Sequence, residues 1–253
     1  LRLVRFEARG IASYGIYIGD LIHPIAGDPF GDLVTTGEPV LTADIRLLAP
    51  VAPSKVVAVG LNYRDHAAEF GLDIPDEPIL FIKASSTIVG PGASIVYPRQ
   101  SERVDYEGEL AVVIGAETRS VPAEEALSKV LGYTASLDIT ARDLQVKDGQ
   151  WTRAKNFDTF CPLGPWVATG ISPDDLAIEL RLNGELRQSS RTSQMIFDVP
   201  HLVSFISEVM TLYPGDVIMT GTPPGVGEVT PGDKIEVYIE EIGTLSCDVV
   251  GSK

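Results

Sequence analysis

The residues best placed to do chemistry are carboxylates. The segment Val104-Asp-Tyr-Glu-Gly-Glu-Leu-Ala-Val-Val-Ile114 passes from three acids into an apolar stretch, so it reads as a strand entering the core with acids at its mouth. Strand side chains alternate between faces, which puts Glu107 and Glu109 on one face about 7 Å apart, a span two Glu side chains can close onto one cation. Gly108 leaves the opposite face bare. Taken alone, a Glu-x-Glu pair on a strand is more often a solvated face than a ligand pair, so a third ligand is needed. A third acid, Asp138, lies in the β-like run Tyr133-Thr-Ala-Ser-Leu-Asp-Ile-Thr140. An ionised group there is costly to bury without a partner. A metal is one such partner, and capping the turn that follows is the other reading. Three carboxylates with no His or Cys beside them suit a hard cation, Mg²⁺ or Mn²⁺, that keeps water positions open for a ligand. They disfavour zinc.

Other side chains gather around this set in the sequence. Lys155, in Trp151-Thr-Arg-Ala-Lys-Asn-Phe-Asp-Thr-Phe160, has aromatic neighbours that could desolvate it into an electrophile or proton donor; a surface lysine is the alternative. Arg142 and Gln145 follow Asp138 by four and seven positions, one face of a helix, and could hold a substrate carboxylate or simply be exposed. His66 and Glu69 are three apart, so one helical turn pairs them as a base and its orienter, or as a surface pair. His23 and His201 have no such company and are assigned to structure. Thr220-Gly-Thr-Pro-Pro-Gly-Val-Gly227 lacks the Gly-Lys-Ser/Thr of a phosphate loop and loses backbone donors to its prolines. What it can offer a carboxylate is Thr222 and a few N–H groups.

The elements that must position these residues are mostly strands. Tyr14 to Ile25 is two apolar runs broken at Gly19-Asp20, a hairpin within a small N-terminal β unit of residues 1–48. From residue 49 to 253 a larger domain follows. Lys55 to Gly60 and Ile79 to Lys83 read as buried strands, Asn183-Gly184 as a hairpin turn, and Lys234 to Ile239 as another strand before a turn at Gly243. Helices are expected over Pro122 to Leu131, with Gly132 as the stop, and over Val199 to Leu212. The fold class is α+β, predominantly β.

A chain of 253 residues, 44% hydrophobic and 22% charged, buries a sizeable core. Its formal charge of −15 opposes nucleic acid and anionic membranes as partners, and requires a local cation to hold any anionic substrate. No apolar run approaches the roughly 20 residues that span a bilayer, which points to a cytoplasmic protein. Cys161 and Cys247 lie far apart and outside any Cys-x-x-Cys, as apolar fillers do.

In this order the pieces resemble the fumarylacetoacetate hydrolase family. The matching stretches are Val59-Gly-Leu-Asn-Tyr-Arg-Asp-His66 with Glu69, Asp105-Tyr-Glu-Gly-Glu-Leu110, Ser136-Leu-Asp-Ile-Thr-Ala-Arg-Asp143, Arg153-Ala-Lys-Asn156 and Thr220 to Gly227. The resemblance implies a mixed β-roll catalytic domain, a homodimer, and Mg²⁺ or Mn²⁺ on Glu107, Glu109 and Asp138. It matches Lys155, Arg142, Gln145 and Thr222 to substrate-binding positions, and His66 with Glu69 to the lid dyad of the acylpyruvate hydrolase and oxaloacetate decarboxylase branch. The larger fumarylacetoacetases carry a further metal carboxylate upstream of the catalytic His, which has no clear equivalent here.

The expected activity is metal-dependent C–C cleavage in a small 2-oxo acid, as acylpyruvate hydrolysis or oxaloacetate decarboxylation, through an enolate. An isomerase or decarboxylase of aromatic breakdown, acting on hydroxymuconate-type dioates, is the alternative. A metal-binding structural module without turnover is the non-enzyme reading. Asn62 to Pro78 is polar, contains Gly71 and Pro75, and reads as a lid that orders when substrate binds.

Overall fold

The computed structural model describes residues 1–252, apart from the side chain of Phe70. Three sheets form the framework, as the alternating and uniformly apolar runs require. The largest has thirteen strands. From Arg2–Ala8 it runs, in spatial order, through Cys161–Ala168, Val130–Leu137, Gly108–Ile114, Val217–Met219 and Val56–Gly60 to Ile79–Lys83 at its edge. Neighbours along this path are antiparallel except Val217–Met219 with Val56–Gly60. The N-terminal strands join this sheet through Arg2–Ala8, and their hairpin turns at Gly19-Asp20 as expected.

A second sheet of five strands contains Ala177–Leu182, Glu185–Arg191, Lys234–Ile239 and Gly243–Gly251. Asn183 and Gly184 both adopt positive φ, 53° and 82°, the conformation a two-residue hairpin turn needs. Leu180, Val237 and Leu245 of this sheet share one core with Leu110, Val112, Ala135 and Leu137 of the large sheet. Gly108 lies where the two layers come closest: a Cβ there would meet Leu180 Cδ1 at 3.1 Å, Gln188 Oε1 at 3.2 Å and Val237 Cγ2 at 3.4 Å. The face opposite Glu107 and Glu109 is therefore packed, and the missing side chain is what lets the second sheet approach.

The helix Val199–Val209 buries Val199, Leu202, Val203 and Ile206 along one stripe, and the Asp198 side chain caps it by accepting from the His201 N–H at 2.9 Å. The helix expected over Pro122 to Leu131 is shorter. It comprises Ala123–Ala126 and a 3₁₀ turn at Leu127–Lys129, and Gly132 belongs to the strand that follows. A Cβ on Gly132 would lie 2.3 Å from the Ala168 carbonyl oxygen, so this glycine permits strand contact and ends no helix. Both cysteines are buried and free, and burial pushes their thiols up to about 12, in keeping with inert fillers. No helix among the described residues is long and apolar enough to cross a membrane.

Asp216 ties the turn before Val217–Met219 to the turn before Val56–Gly60. Its buried carboxylate accepts from the Ser54 and Tyr213 N–H groups, from Ser54 Oγ at 2.7 Å, and from Lys55 through both N–H and Nζ. Burial alone would raise this carboxyl, yet the Lys55 ammonium and the backbone donors hold it below its ordinary value. A depressed carboxyl stabilises the fold above the usual carboxylate range, and that contribution disappears as the pH falls through it. Asp216→Asn is expected to cost about 2 kcal/mol at neutral pH. The gap between wild type and variant in urea titrations should begin to close below about pH 4 and vanish only below the lowered folded value; a gap independent of pH would show that the charge is not what matters.

Candidate metal centre and its cavity

Glu107 and Asp138 both sit where a strand leaves the large sheet for a smaller one. Val104–Tyr106 and Thr140–Ala141 pair in a three-stranded sheet with Gly227–Val229, whereas Gly108–Ile114 and Val130–Leu137 pair in the large sheet. The expected continuous strand from Val104 to Ile114 is thus broken at Glu107. Across the break the Asp138 N–H donates to the Glu107 carbonyl at 2.9 Å, which holds the two corners together. Corners of this kind release side chains from the strict alternation of a sheet and let them converge.

Converge they do. One oxygen each from Glu107, Glu109 and Asp138 lies within 4.8 Å of the others, and all three residues are buried. Lys155, 2% exposed at the end of the short helix Thr152–Lys155, donates from Nζ to Glu107 Oε2 at 2.9 Å and to Asp138 Oδ2 at 2.5 Å. Arg142 ion-pairs with Glu107 and Asp105, and its Nη1 donates to Gln145 Oε1 at 2.6 Å, so Arg142 and Gln145 share a helix face as expected.

The electrostatics separate the two glutamates. Burial would raise Glu107, but the Lys155 ammonium and the Arg142 guanidinium outweigh it and hold its carboxyl at about 2. Glu109 is raised well above the ordinary carboxylate range, by burial first and then by the charges of Asp138 and Glu107. Burial works against the charge on Lys155, yet Asp138 and Glu107 prevail and raise it, so its ammonium is firmly charged. A divalent cation would relieve the burial and repulsion at Glu109, and the all-oxygen donor set is the one hard cations take. These three residues fit such an ion.

Eight of the nine residues singled out from the sequence line one cavity of about 190 Å³: His66, Arg142, Gln145, Lys155, Thr222 and the three acids. Glu69, the ninth, stands behind His66 and meets its Nδ1 at 3.0 Å. Thr222 faces the cavity, but its hydroxyl is already engaged. It donates to the Gly108 carbonyl at 2.9 Å and accepts from Gln188 Nε2 at 2.9 Å. The carboxylates that receive N–H groups from this loop are the chain's own: Glu109 from Gly221 at 2.8 Å and Glu69 from Gly225 at 3.2 Å.

The segment proposed as a lid is anchored over its first half. Tyr63 and Asn62 are fully buried, and Asn62 exchanges hydrogen bonds with Phe197 and donates to the Thr220 carbonyl. Asp65 accepts from Ser190 Oγ, and Glu69 from the Gly225 N–H at 3.2 Å. The helix Arg64–Phe70 therefore stands formed, with the His66–Glu69 pair already made. Beyond Gly71 the chain is exposed at Leu72 and Ile74, and Leu72 also lines the cavity.

Lys83 and Gln188 carry no obvious signal in the sequence, and Trp151 figures there only as an aromatic neighbour of Lys155. Lys83 is fully buried against Asp138, Gln188 fastens the strand of Glu109 to the loop of Thr222, and Trp151 walls the cavity edge-on to Phe81.

Comparison with known proteins agrees with this architecture. Residues 55–250 match the family described as fumarylacetoacetate (FAA) hydrolase C-terminal, and residues 1–50 match one described as Rv2993c-like, N-terminal. Protein Rv2993c of Mycobacterium tuberculosis is 51% identical over 260 residues, covering 99% of this chain and 98% of that protein. The mitochondrial oxaloacetate tautomerase FAHD2B of Bos taurus is 47% identical over 231 residues, covering 86% of this chain and 74% of that protein. Among solved structures, the 5-carboxymethyl-2-hydroxymuconate delta-isomerase of Mycobacterium smegmatis superposes with a TM-score of 0.95 at 45% identity, over 100% of both chains. With its predominantly β, mixed-sheet fold and its acids converging at two strand corners, the chain belongs to the fumarylacetoacetate hydrolase family.

Proposed function

We propose that this protein is a divalent-cation-dependent enzyme that moves a proton beside the oxo group of a small 2-oxo acid, with Mg²⁺ or Mn²⁺ on Glu107, Glu109 and Asp138. The observation that carries this reading is the meeting, in one cavity, of three buried carboxylates, a buried ammonium and a His–Glu pair. The names of the relatives support it: oxaloacetate tautomerase and hydroxymuconate delta-isomerase both describe proton transfer in dicarboxylates with an enol or oxo group. Such an ion, when bound, supplies a Lewis acid for the adjacent oxo and carboxylate oxygens.

The chain's own residues do the rest. His66, oriented by Glu69, takes the proton from the carbon next to the oxo group, and the electron pair moves onto the oxo oxygen. The Lys155 ammonium donates a charge-assisted hydrogen bond to that oxygen as its charge grows. Returning the proton to the oxygen completes a tautomerisation, and returning it to a more distant carbon completes an isomerisation. Arg142 and Gln145 orient a substrate carboxylate. A second cavity of about 300 Å³ shares His66, Glu107 and Arg142 with the first and adds Arg103, whose guanidinium suits a second carboxylate.

C–C cleavage is the second reading. It is favoured by the same His66–Glu69 pair, which can take a proton from water as readily as from carbon. A structural cation site without turnover needs neither that pair nor a buried Lys155. The homodimer belongs to this proposal as well, with Ile79 and Ile82, exposed on the edge strand Ile79–Lys83, as apolar surface for it to cover.

The test follows enol and keto forms by absorbance with oxaloacetate, acetylpyruvate and a hydroxymuconate-type dioate, in Mg²⁺. His66→Ala is expected to slow the accepted substrate by about 10²- to 10⁴-fold. A wild type inert to all three compounds would refute the reading. An unimpaired His66→Ala would remove the dyad from it.

A further inference from the structure

The strand Ile79–Lys83 ends in a lysine that the chemistry above does not use. Lys83 is fully buried, at 0% exposure, and its Nζ donates to Asp138 Oδ1 at 2.5 Å and to the carbonyl oxygen of Lys155 at 2.7 Å. We propose that Lys83 is a positioning residue of the cation site, fixing with one side chain both the direction of the Asp138 carboxylate and the backbone that carries Lys155. The proposal rests on the reading that Glu107, Glu109 and Asp138 hold a divalent cation.

The two Asp138 oxygens have different partners. Oδ1 is turned to Lys83, and Oδ2 is turned to Lys155. A carboxylate gripped at one oxygen cannot rotate freely, and it presents one chosen oxygen to the group in front of it. The second contact acts on the helix Thr152–Lys155, whose final carbonyls lack partners within the helix. Lys83 supplies one to Lys155. The next residue continues the attachment: Asn156 accepts from the Ala84 N–H at 2.5 Å and donates to the Ile82 carbonyl at 3.1 Å. The end of the strand and the end of the helix are thus joined on both sides of Lys83. The strand itself is set by its pairing with Val56–Gly60, where Lys83 lies opposite Val56. Movement of the Lys83 side chain would therefore be felt by a proposed ligand and by the proposed electrophile together.

Positioning and mere charge neutralisation predict opposite signs. If Lys83 only balanced the acids, removing its charge would leave the site more negative and tighten a cation. If it positions Asp138, removing it frees the carboxylate and loosens the cation. Partners that orient metal ligands from behind typically contribute about 10- to 100-fold in affinity.

The experiment is calorimetric titration of Mn²⁺ into the metal-stripped wild type, Lys83→Met and Lys83→Gln, with melting curves to establish folding. Lys83→Met is expected to bind Mn²⁺ about 10- to 100-fold more weakly. Lys83→Gln, which retains a donor for one of the two acceptors, is expected to fall between it and wild type. Electron paramagnetic resonance of the bound Mn²⁺ should change its fine structure in the folded variant, a signature that loss of general stability does not produce. Should Lys83→Met fail to fold, Lys83→Gln carries the comparison alone. Affinity equal to or tighter than wild type in a folded variant would overturn the proposal. Absence of Mn²⁺ binding by the wild type would instead refute the cation site on which it rests.

Discussion

Glu109→Gln is expected to strip the protein of its divalent cation while leaving the fold intact. Glu109 is 1% exposed, and only one of its oxygens has a backbone donor, the Gly221 N–H at Oε2. Burial, Asp138 and Glu107 all act against its charge, and a cation would relieve all three. Glutamine has the same shape and keeps an acceptor for Gly221, but brings no charge to a cation and removes one source of repulsion. Mn²⁺ affinity should fall by at least about 100-fold, roughly 3 kcal/mol, and turnover should fall to background. The metal-stripped variant should melt at or above the wild-type temperature. Titration calorimetry and a melting curve check both halves. Wild-type affinity in Glu109→Gln would remove this residue from the ligand set.

Lys155→Met should separate catalysis from cation binding. The side chain keeps its length and its apolar stem, which packs with Nζ 5.1 Å from the Phe81 ring centre. What it loses is an ammonium held 2.5 Å from Asp138 and 2.9 Å from Glu107. The neighbouring acids raise its pKa despite burial, which suits the proposed role of a donor to developing negative charge better than that of a base. Removing a donor to an oxyanion typically costs about 10²- to 10³-fold in turnover, and that fall in kcat is expected here. Mn²⁺ should bind at least as tightly as to wild type, since a competing positive charge has gone. A loss of cation with unchanged turnover per bound ion would contradict the assigned role.

Glu107, Glu109 and Asp138 were legible as candidates because acids interrupting apolar runs are costly unless something holds them, and the structure brings them together. The resemblance of five motifs in order is what favoured a metal over the alternatives. Alternation along a strand placed the two glutamates on one side. It carries no information about which strands pair, so it missed the change of sheet at Glu107 and the layer packed behind Gly108. Gly132 misled because a glycine after a helical pattern resembles a stop, whereas its need is set by Ala168 on a neighbouring strand. The polarity of residues 62 to 70 suggested looseness, yet Asn62 and Asp65 have partners 158 and 125 residues away. Lys83 and Gln188 were invisible for the same reason. Lys83 is a lone polar residue in a short strand and Gln188 one polar residue among several in its own, and only tertiary contacts reveal a buried Lys behind Asp138 or a Gln joining Gly108 to Thr222.

The central claim is that a cation held by the three acids makes the carbon beside an oxo group give up its proton. Exchange of those protons for deuterium, followed by proton NMR in ²H₂O on a 2-oxo acid accepted by the wild type, reads that step directly. Mg²⁺, which does not broaden the signals, is the ion to use. Metal-stripped protein and Glu109→Gln in Mg²⁺ should exchange no faster than buffer, and wild type restored with Mg²⁺ should exchange many times faster. Rapid exchange by the stripped protein, or by Glu109→Gln as fast as by wild type, would contradict the account.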